Sequence, residues 1–384
     1  MREGSFSVSD IMALTRASEA QIADALDTLQ TAGLACISNG DDGGLMRYAA
    51  LPNAGFCLGV DLGGTKILAA LSDLSGRIVA EIAERTDPRG DYHVLDQIKG
   101  IAGQLAAMAS LTSSDIQTIA VGIPGAVSPA TGVTSLLPNI NGFADIHIGR
   151  GLGERFGRHV IVENDVNMAI LGEAWRGSAK GRRNASFMAL GTGVGLGNIA
   201  EGELLRGMTG AAGEIAFLPI GRNVTSGEAR KYGSFELEVG TRGIVARCQD
   251  LGAAGIVSAK DVFDLLETGN SAAVQTIDET ARYIALAITC VQFLLDPELV
   301  VLGGSIGSRI ELASRVEALL PAMAAAPVKI AVSQLGNRAG LLGALSLAIK
   351  QSLLEHMETA GAEAIDAGTN ALDRALLKPS RFNA

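Results

Sequence analysis

Apolar positions in the first 50 residues follow a helical period before they alternate. Ser9-Asp10 opens a short run through Ile11 and Leu14, which Thr15-Arg16-Ala17-Ser18 interrupts. Ile22, Leu26 and Leu29 then fall at i, i+4 and i+7, on one face of a second helix that Gly33 ends. Leu34-Ala35-Cys36-Ile37 and Leu45-Met46-Arg47-Tyr48, joined by a turn at 39–44, read as a hairpin. Leu51-Pro52-Asn53-Ala54-Gly55 reads as a linker.

From residue 56 the pattern changes to strands. An apolar run at 56–61 breaks at Gly63-Gly64 and resumes at 67–71; a turn at 73–76 leads to a third strand at 77–82. A helix is predicted through 92–109 and a buried strand at 119–123. Much of this order recurs. The strand 186–190 runs into Gly191-Thr192-Gly193-Val194-Gly195, the chain resumes at 196–200, turns at Glu201-Gly202 and continues through 203–206. Leu299-Val300-Val301-Leu302-Gly303-Gly304 repeats the strand-into-glycine pattern of 120–125. Such an internal repeat predicts two related α/β halves facing a shared cleft, a usual place for a ligand.

Composition narrows the class. Hydrophobic residues make up 48% of the 384 and charged residues 19%, enough apolar material for a sizeable core. The 48 glycines exceed the usual share of roughly 7%; their clustering at strand ends points to close backbone approaches. A net charge of −10 argues against a nucleic-acid or anionic-membrane surface spread over the whole molecule. Cys36, Cys57, Cys248 and Cys290 lie far apart, which suggests neither a disulfide framework nor a zinc site. With no basic-then-apolar leader and no long uncharged apolar run, the chain is expected in the cytoplasm, away from membranes.

Three segments carry candidate chemistry. Asp61-Leu62-Gly63-Gly64-Thr65-Lys66 forms a turn between two strands. Gly63 and Gly64 let backbone N–H groups approach a phosphate, Thr65 adds a hydroxyl, Lys66 a cation, and Asp61 suits the Mg²⁺ that accompanies ATP. An ordinary tight hairpin with solvated Asp and Lys accounts for the same residues. Gly191, Thr192 and Gly193 supply a second glycine turn, without the helix that opens a dinucleotide fingerprint. Glu163-Asn164-Asp165-Val166-Asn167 follows a strand and opens a helix through Met168, Leu171 and Trp175. Asp165 is placed either to cap that helix or to act as a general base, a role that contributes typically about 10²- to 10⁴-fold.

The 61–66 turn, Gly122-Ile123-Pro124-Gly125, the 163–167 segment, the 191–197 turn and residues 210–214 occur in one order and spacing. Together they resemble the ROK family, named for repressors, open reading frames and kinases, over about residues 56–350. The resemblance implies an α/β fold with a duplicated actin/hexokinase-type, ribonuclease H-like ATPase core. Residues 56–175 and 176–350 would be its halves and 351–384 a tail. It implies a sugar kinase acting on a hexose or N-acetylhexosamine with ATP and Mg²⁺, and a homodimer. Asp165 would be the catalytic base, Asn139, Asn164, Glu214 and Glu236 would hydrogen-bond the sugar, and Gly303 and Gly304 would lie against the adenosine. Glu238 competes with Glu236 for its place; read alone, Asn139, Glu214 and Glu236 are surface polar residues. Family members also carry a His after the Glu214-type residue and a Cys-rich loop, which bind a structural zinc. Here the His position is Phe217 and the 221–234 loop has neither Cys nor His, so no zinc is expected.

The rival function is a sugar-responsive transcriptional regulator. Helix, turn, helix, hairpin is the order of a winged helix-turn-helix, assigned to residues 1–50, although the chain begins where the second helix of such a domain would stand. DNA binding needs cations. Arg2, Arg16 and Arg47 are outnumbered there by Glu3, Asp10, Glu19, Asp24, Asp27, Asp41 and Asp42, and the would-be recognition helix, 19–30, has no Lys or Arg.

Overall fold

The computed structural model describes residues 6–15, 17–31, 33–39, 46–51, 54–128, 134–135, 147–324 and 326–359. Two compact units form: Met1–Trp175 with Gly340–Ala384, and Arg176–Ala339.

The first unit opens with β1 (Phe6–Ser7), α1 (Val8–Thr15), α2 (Glu19–Thr31), β2 (Ala35–Asn39) and β3 (Met46–Ala50), whose strands make an antiparallel sheet in the order β1-β3-β2. The cap of α1 lies two residues before the Ser9-Asp10 expected from sequence. Ser7 Oγ accepts the Asp10 N–H at 3.2 Å and Asp10 Oδ2 accepts the Ser7 N–H at 2.9 Å, a reciprocal capping box. Ser18 and Gln21 exchange the same pair of bonds at the start of α2, where Ile22 and Leu26 are buried as their spacing requires.

A larger sheet follows, built from β4 (Phe56–Leu62), β5 (Lys66–Asp73), β6 (Ile78–Arg85), β7 (Ile116–Ile123) and β10 (Val160–Asn164) in the order β10-β7-β4-β5-β6. Between them run α3 (Asp91–Met108), the small β8 (Ala126–Val127) and β9 (Thr134–Ser135), and α4 (Ile148–Phe156); α5 (Asp165–Arg176) leaves the end of β10. The hairpins β4–β5 and β5–β6 are antiparallel, while β4–β7 and β7–β10 are parallel. Ile98, Ile101 and Leu105 of α3 join Leu58, Val60 and Ile119 in the core beneath it.

The second unit repeats this plan. Its strands are β11 (Ala185–Leu190), β12 (Val194–Ala200), β13 (Glu203–Leu204), β14 (Leu299–Gly303) and β15 (Ile330–Val332), ordered β13-β12-β11-β14-β15. Again the central strand has an antiparallel hairpin on one side and parallel partners on the other. The sequence repeat is therefore a repeat of strand order and sense, with β13 shorter than the 203–206 expected. The helices α6 (Gly227–Tyr232), α7 (Glu236–Val239), α8 (Thr241–Asp250), α9 (Ala259–Glu267) and α10 (Ser271–Leu295) separate β13 from β14; α11 (Gly304–Gly307) and α12 (Ile310–Met323) precede β15. Inside the helical layer Glu238 and Arg247 form a buried ion pair, with Arg247 also donating to Thr280 Oγ1 at 3.0 Å.

The last described helix, α13 (Ala339–Thr359), belongs to the first unit from Gly340 onward. Residues 340–350 thus leave the half to which sequence order assigned them. Leu345 of α13 covers Gly59 of β4, where an added Cβ would lie 2.7 Å from it. Among the described residues no helix is long and apolar enough to cross a membrane.

Candidate functional site

In the first unit the pairing register brings the predicted residues to one edge. Asp61 of β4 lies opposite Gly122 of β7, and Gly122 opposite Glu163 of β10, at the carboxyl ends of three parallel strands. That edge is where open α/β sheets usually bind ligands. The side chain of Asp61 lies against the first turn of α13, where a Cβ on Gly340 would stand 2.8 Å from its carboxyl carbon. Burial pushes the Asp61 carboxyl up to about 6, against the pull of the Lys66 ammonium.

The adjoining turn is tight. Gly63 donates its N–H to the Lys66 carbonyl at 2.9 Å, and Thr86 Oγ1 donates to the Gly63 carbonyl at 2.7 Å. The N–H of Gly63 therefore closes the hairpin and does not face a ligand. Gly64, Thr65 and Lys66 are exposed.

At the head of α5 the structure decides between two neighbours. Asn164 Oδ1 accepts the N–H groups of Val166 at 2.9 Å and Asn167 at 3.0 Å, the bonds of an N-cap. Its Nδ2 donates to the Gly125 carbonyl at 3.0 Å. Asn164, not Asp165, caps the helix, and most of its amide is engaged within the fold. Asp165 occupies the first helical position, partly exposed, with Oδ1 accepting the Val166 N–H at 2.8 Å. Glu163, to which sequence reading assigned no role, is buried; its Oε1 accepts from the Asn164 N–H and from Asn167 Nδ2, both at 2.9 Å. A carboxylate followed at i+4 by Asn across a helix start was the available signal. Asn139 lies outside the described residues.

The second unit gathers the other predicted residues. Gly191 donates its N–H to the Gly193 carbonyl at 3.1 Å, and Thr192 and Gly193 are exposed at the tip of the β11–β12 turn. Gly304 follows β14, and Ser305 Oγ would stand 3.4 Å from a Cβ on Gly191, so this turn and the Gly303-Gly304 pair are neighbours. Glu214 is delivered by Gly213, whose φ of +96° and approach to the Leu196 carbonyl, 1.8 Å from where a Cβ would be, exclude any side chain. Burial raises the Glu214 carboxyl above its ordinary value. Burial also raises Glu236, opposed by the Val194 N–H and by Arg242, with the neighbouring charge of Glu214 adding to the rise.

Glu238 pairs with Arg247 in the interior and accepts the Arg222 N–H at 2.9 Å. Phe217, at the place of the expected zinc ligand, ends a short 3₁₀ turn (Ile215–Phe217) and is 44% exposed. The loop beyond it is held instead by Ser234 Oγ donating to the Leu218 carbonyl at 2.6 Å and by the Phe235 N–H on the Ala216 carbonyl at 3.0 Å. Among the described residues no cluster of three His, Cys, Asp or Glu is arranged to hold a metal ion.

Residues 57–351 match the ROK family. The chain belongs to the ROK family. The glucokinase of Halalkalibacterium halodurans is 30% identical over 309 residues, 74% of this chain and 92% of that protein. A ROK family glucokinase from Streptomyces griseus, solved in complex with glucose and AMPPNP, superposes with a TM-score of 0.59 at 27% identity, over 77% of this chain and 99% of that one. A ROK family transcriptional regulator, homologue of the E. coli MLC protein, superposes with a TM-score of 0.73 at 21% identity, over 96% of this ROK chain and 94% of its own.

Proposed function

We propose that this ROK protein is an ATP-dependent sugar kinase, transferring the γ-phosphoryl group to a hydroxyl of a hexose or an N-acetylhexosamine. The observation that carries the reading is that the strand register sets Asp61, Gly122 and Glu163 along one edge, where Asp165 opens α5 from the end of β10 and is partly exposed. The matching strand orders of the two sheets support a duplicated actin/hexokinase-type, ribonuclease H-like core. Kinase relatives at 27–30% identity support the activity.

In this reading Asp165 accepts the proton of the attacking sugar hydroxyl, a step that contributes typically about 10²- to 10⁴-fold. ATP with Mg²⁺ supplies the phosphoryl group and neutralises its charge. Asp61 would hold the cation, directly or through water, and the N–H groups of the exposed residues Gly64 and Thr65, with the Lys66 ammonium, would meet phosphate oxygens. Gly63 serves by closing that turn. Gly191, Thr192 and Gly193 would meet phosphate as well, and Gly303 and Gly304 the adenosine. Glu214, Glu236, Asn139 and the remaining amide hydrogen of Asn164 would hydrogen-bond the sugar. No zinc enters the scheme, and a cytoplasmic homodimer is its expected form. A coupled ADP-release screen over hexoses and N-acetylhexosamines tests it. Sugar-dependent release that disappears in Asp165→Asn is expected; none with any sugar refutes it.

A second reading, a sugar-responsive regulator with a winged helix at residues 1–50, is favoured by one observation. The segment folds as two capped helices between β1 and β2, with β1, β3 and β2 in one antiparallel sheet, and the solved regulator spans 96% of the chain. Its charge opposes DNA: Glu19, Asp24 and Asp27 are all exposed on α2. A sequence-specific, salt-sensitive shift of DNA relieved by one sugar would establish it.

A further inference from the structure

The acid assigned to the sugar and the glycine turn assigned to the nucleotide are joined directly. Glu236 Oε2 accepts the Val194 N–H at 3.0 Å, and a Cβ on Gly193 would lie 3.4 Å from the same oxygen. Five residues on, Thr241 holds the other end of the turn: its N–H and its Oγ1 both donate to the Gly191 carbonyl, at 2.9 and 3.1 Å. Between these anchors, Gly240 fits against the Thr192 carbonyl, which would lie 3.3 Å from an added Cβ. From within the turn, Gly191 donates its N–H to the Gly193 carbonyl. Residues 236–241 therefore grip residues 191–194 at both ends.

The grip is itself anchored from behind. Glu238, two residues after Glu236, is locked in the buried pair with Arg247, and Arg247 also donates to the Glu238 carbonyl at 3.1 Å. A charged acceptor on a backbone N–H is the stronger kind of hydrogen bond. A glycine-rich turn without it would sample many conformations and lose them on binding phosphate.

Building on the kinase reading, we propose that Glu236 is a positioning residue for the nucleotide: its carboxylate, through the Val194 N–H, sets the shape of the 191–194 turn before any sugar is present. A residue that only contacted sugar would leave nucleotide affinity in sugar-free protein untouched.

Two measurements on the full chain decide the matter: amide hydrogen exchange across residues 191–195, and calorimetric affinity for AMPPNP with Mg²⁺ in the absence of sugar. Glu236→Ala is expected to speed exchange at Val194 and weaken AMPPNP by about tenfold. Glu236→Gln, whose side-chain carbonyl can still accept that N–H, is expected to keep both close to the unsubstituted protein. Unaltered exchange at Val194 in Glu236→Ala overturns the proposal, and so does faster exchange with unaltered AMPPNP affinity. If the unsubstituted protein binds no AMPPNP the kinase reading fails with this nucleotide role, while the exchange arm still decides whether Glu236 holds the turn.

Discussion

Gly343 of α13 meets Met168 of α5 so closely that a methyl group on the glycine would stand 1.7 Å from the methionine's carbonyl oxygen. The oxygen belongs to helix backbone and cannot swing aside as a side chain would. This contact fixes how deeply α13 seats against α5, and α5 carries Asp165 at its start.

Gly343→Ala tests the contact against propensity. In an open helix Ala would be favoured by about 1 kcal/mol, but overpacking against fixed backbone costs typically about 1–3 kcal/mol. Net destabilisation is expected, visible as a lower midpoint in urea unfolding.

Capping makes a separate prediction. Asn164→Ala removes the acceptor for two N–H groups and is expected to cost about 1–2 kcal/mol. Asn164→Asp keeps the cap but loses the donor to Gly125, so it should recover most of the stability. Equal losses in the two variants, measured by denaturant unfolding, would place the contribution in the Gly125 bridge instead.

Asp61 gives a pH signature. Its folded carboxyl titrates near 6 instead of the usual 3.8, so between those values the folded state binds more protons than the unfolded one. Stability attributable to this group is present at low pH and declines as pH rises from about 4 to 6, by at most about 3 kcal/mol. Asp61→Asn should flatten that part of the stability profile and be more stable than the parent at pH 7. Under the proposed kinase reading it should also lose Mg²⁺-dependent ADP release. A profile identical to the parent would show that the carboxyl is ordinary.

The Glu238–Arg247 pair predicts a strong asymmetry. Arg247→Ala leaves a buried carboxylate whose remaining ion pair among the described residues is with the solvent-side Arg222 and is expected to cost about 3–5 kcal/mol. Replacing both by apolar residues, Glu238→Leu with Arg247→Met, should cost less than the single change, as thermal unfolding would reveal.

Local pattern reached a long way into this fold. The strands at 56–61, 67–71 and 186–190 and the helix at 92–109 are present with ends shifted by a few residues, because apolar period and glycine punctuation are properties of adjacent residues. Cap assignments were less legible. Ser7 and Ser9, or Asn164 and Asp165, are chemically equivalent candidates one or two positions apart, and the last residue of β1 or β10 decides which of them reaches the N–H groups. Glu236 and Glu238 illustrate the same ambiguity: both are acids on one short helix. The partner that separates them, Arg247, lies nine residues away and is brought back by helix packing.

By itself the sequence determined the repeated strand-into-glycine pattern, the order of the ROK motifs and the absence of Cys and His from the 221–234 loop, since each is written in contiguous residues. Only the tertiary structure decided that residues 340–359 join the first unit, that Glu163 is buried behind the helix start, and that Glu236 reaches Val194 across 42 positions. Those outcomes depend on which distant surfaces bury one another, a relation that no local spacing encodes.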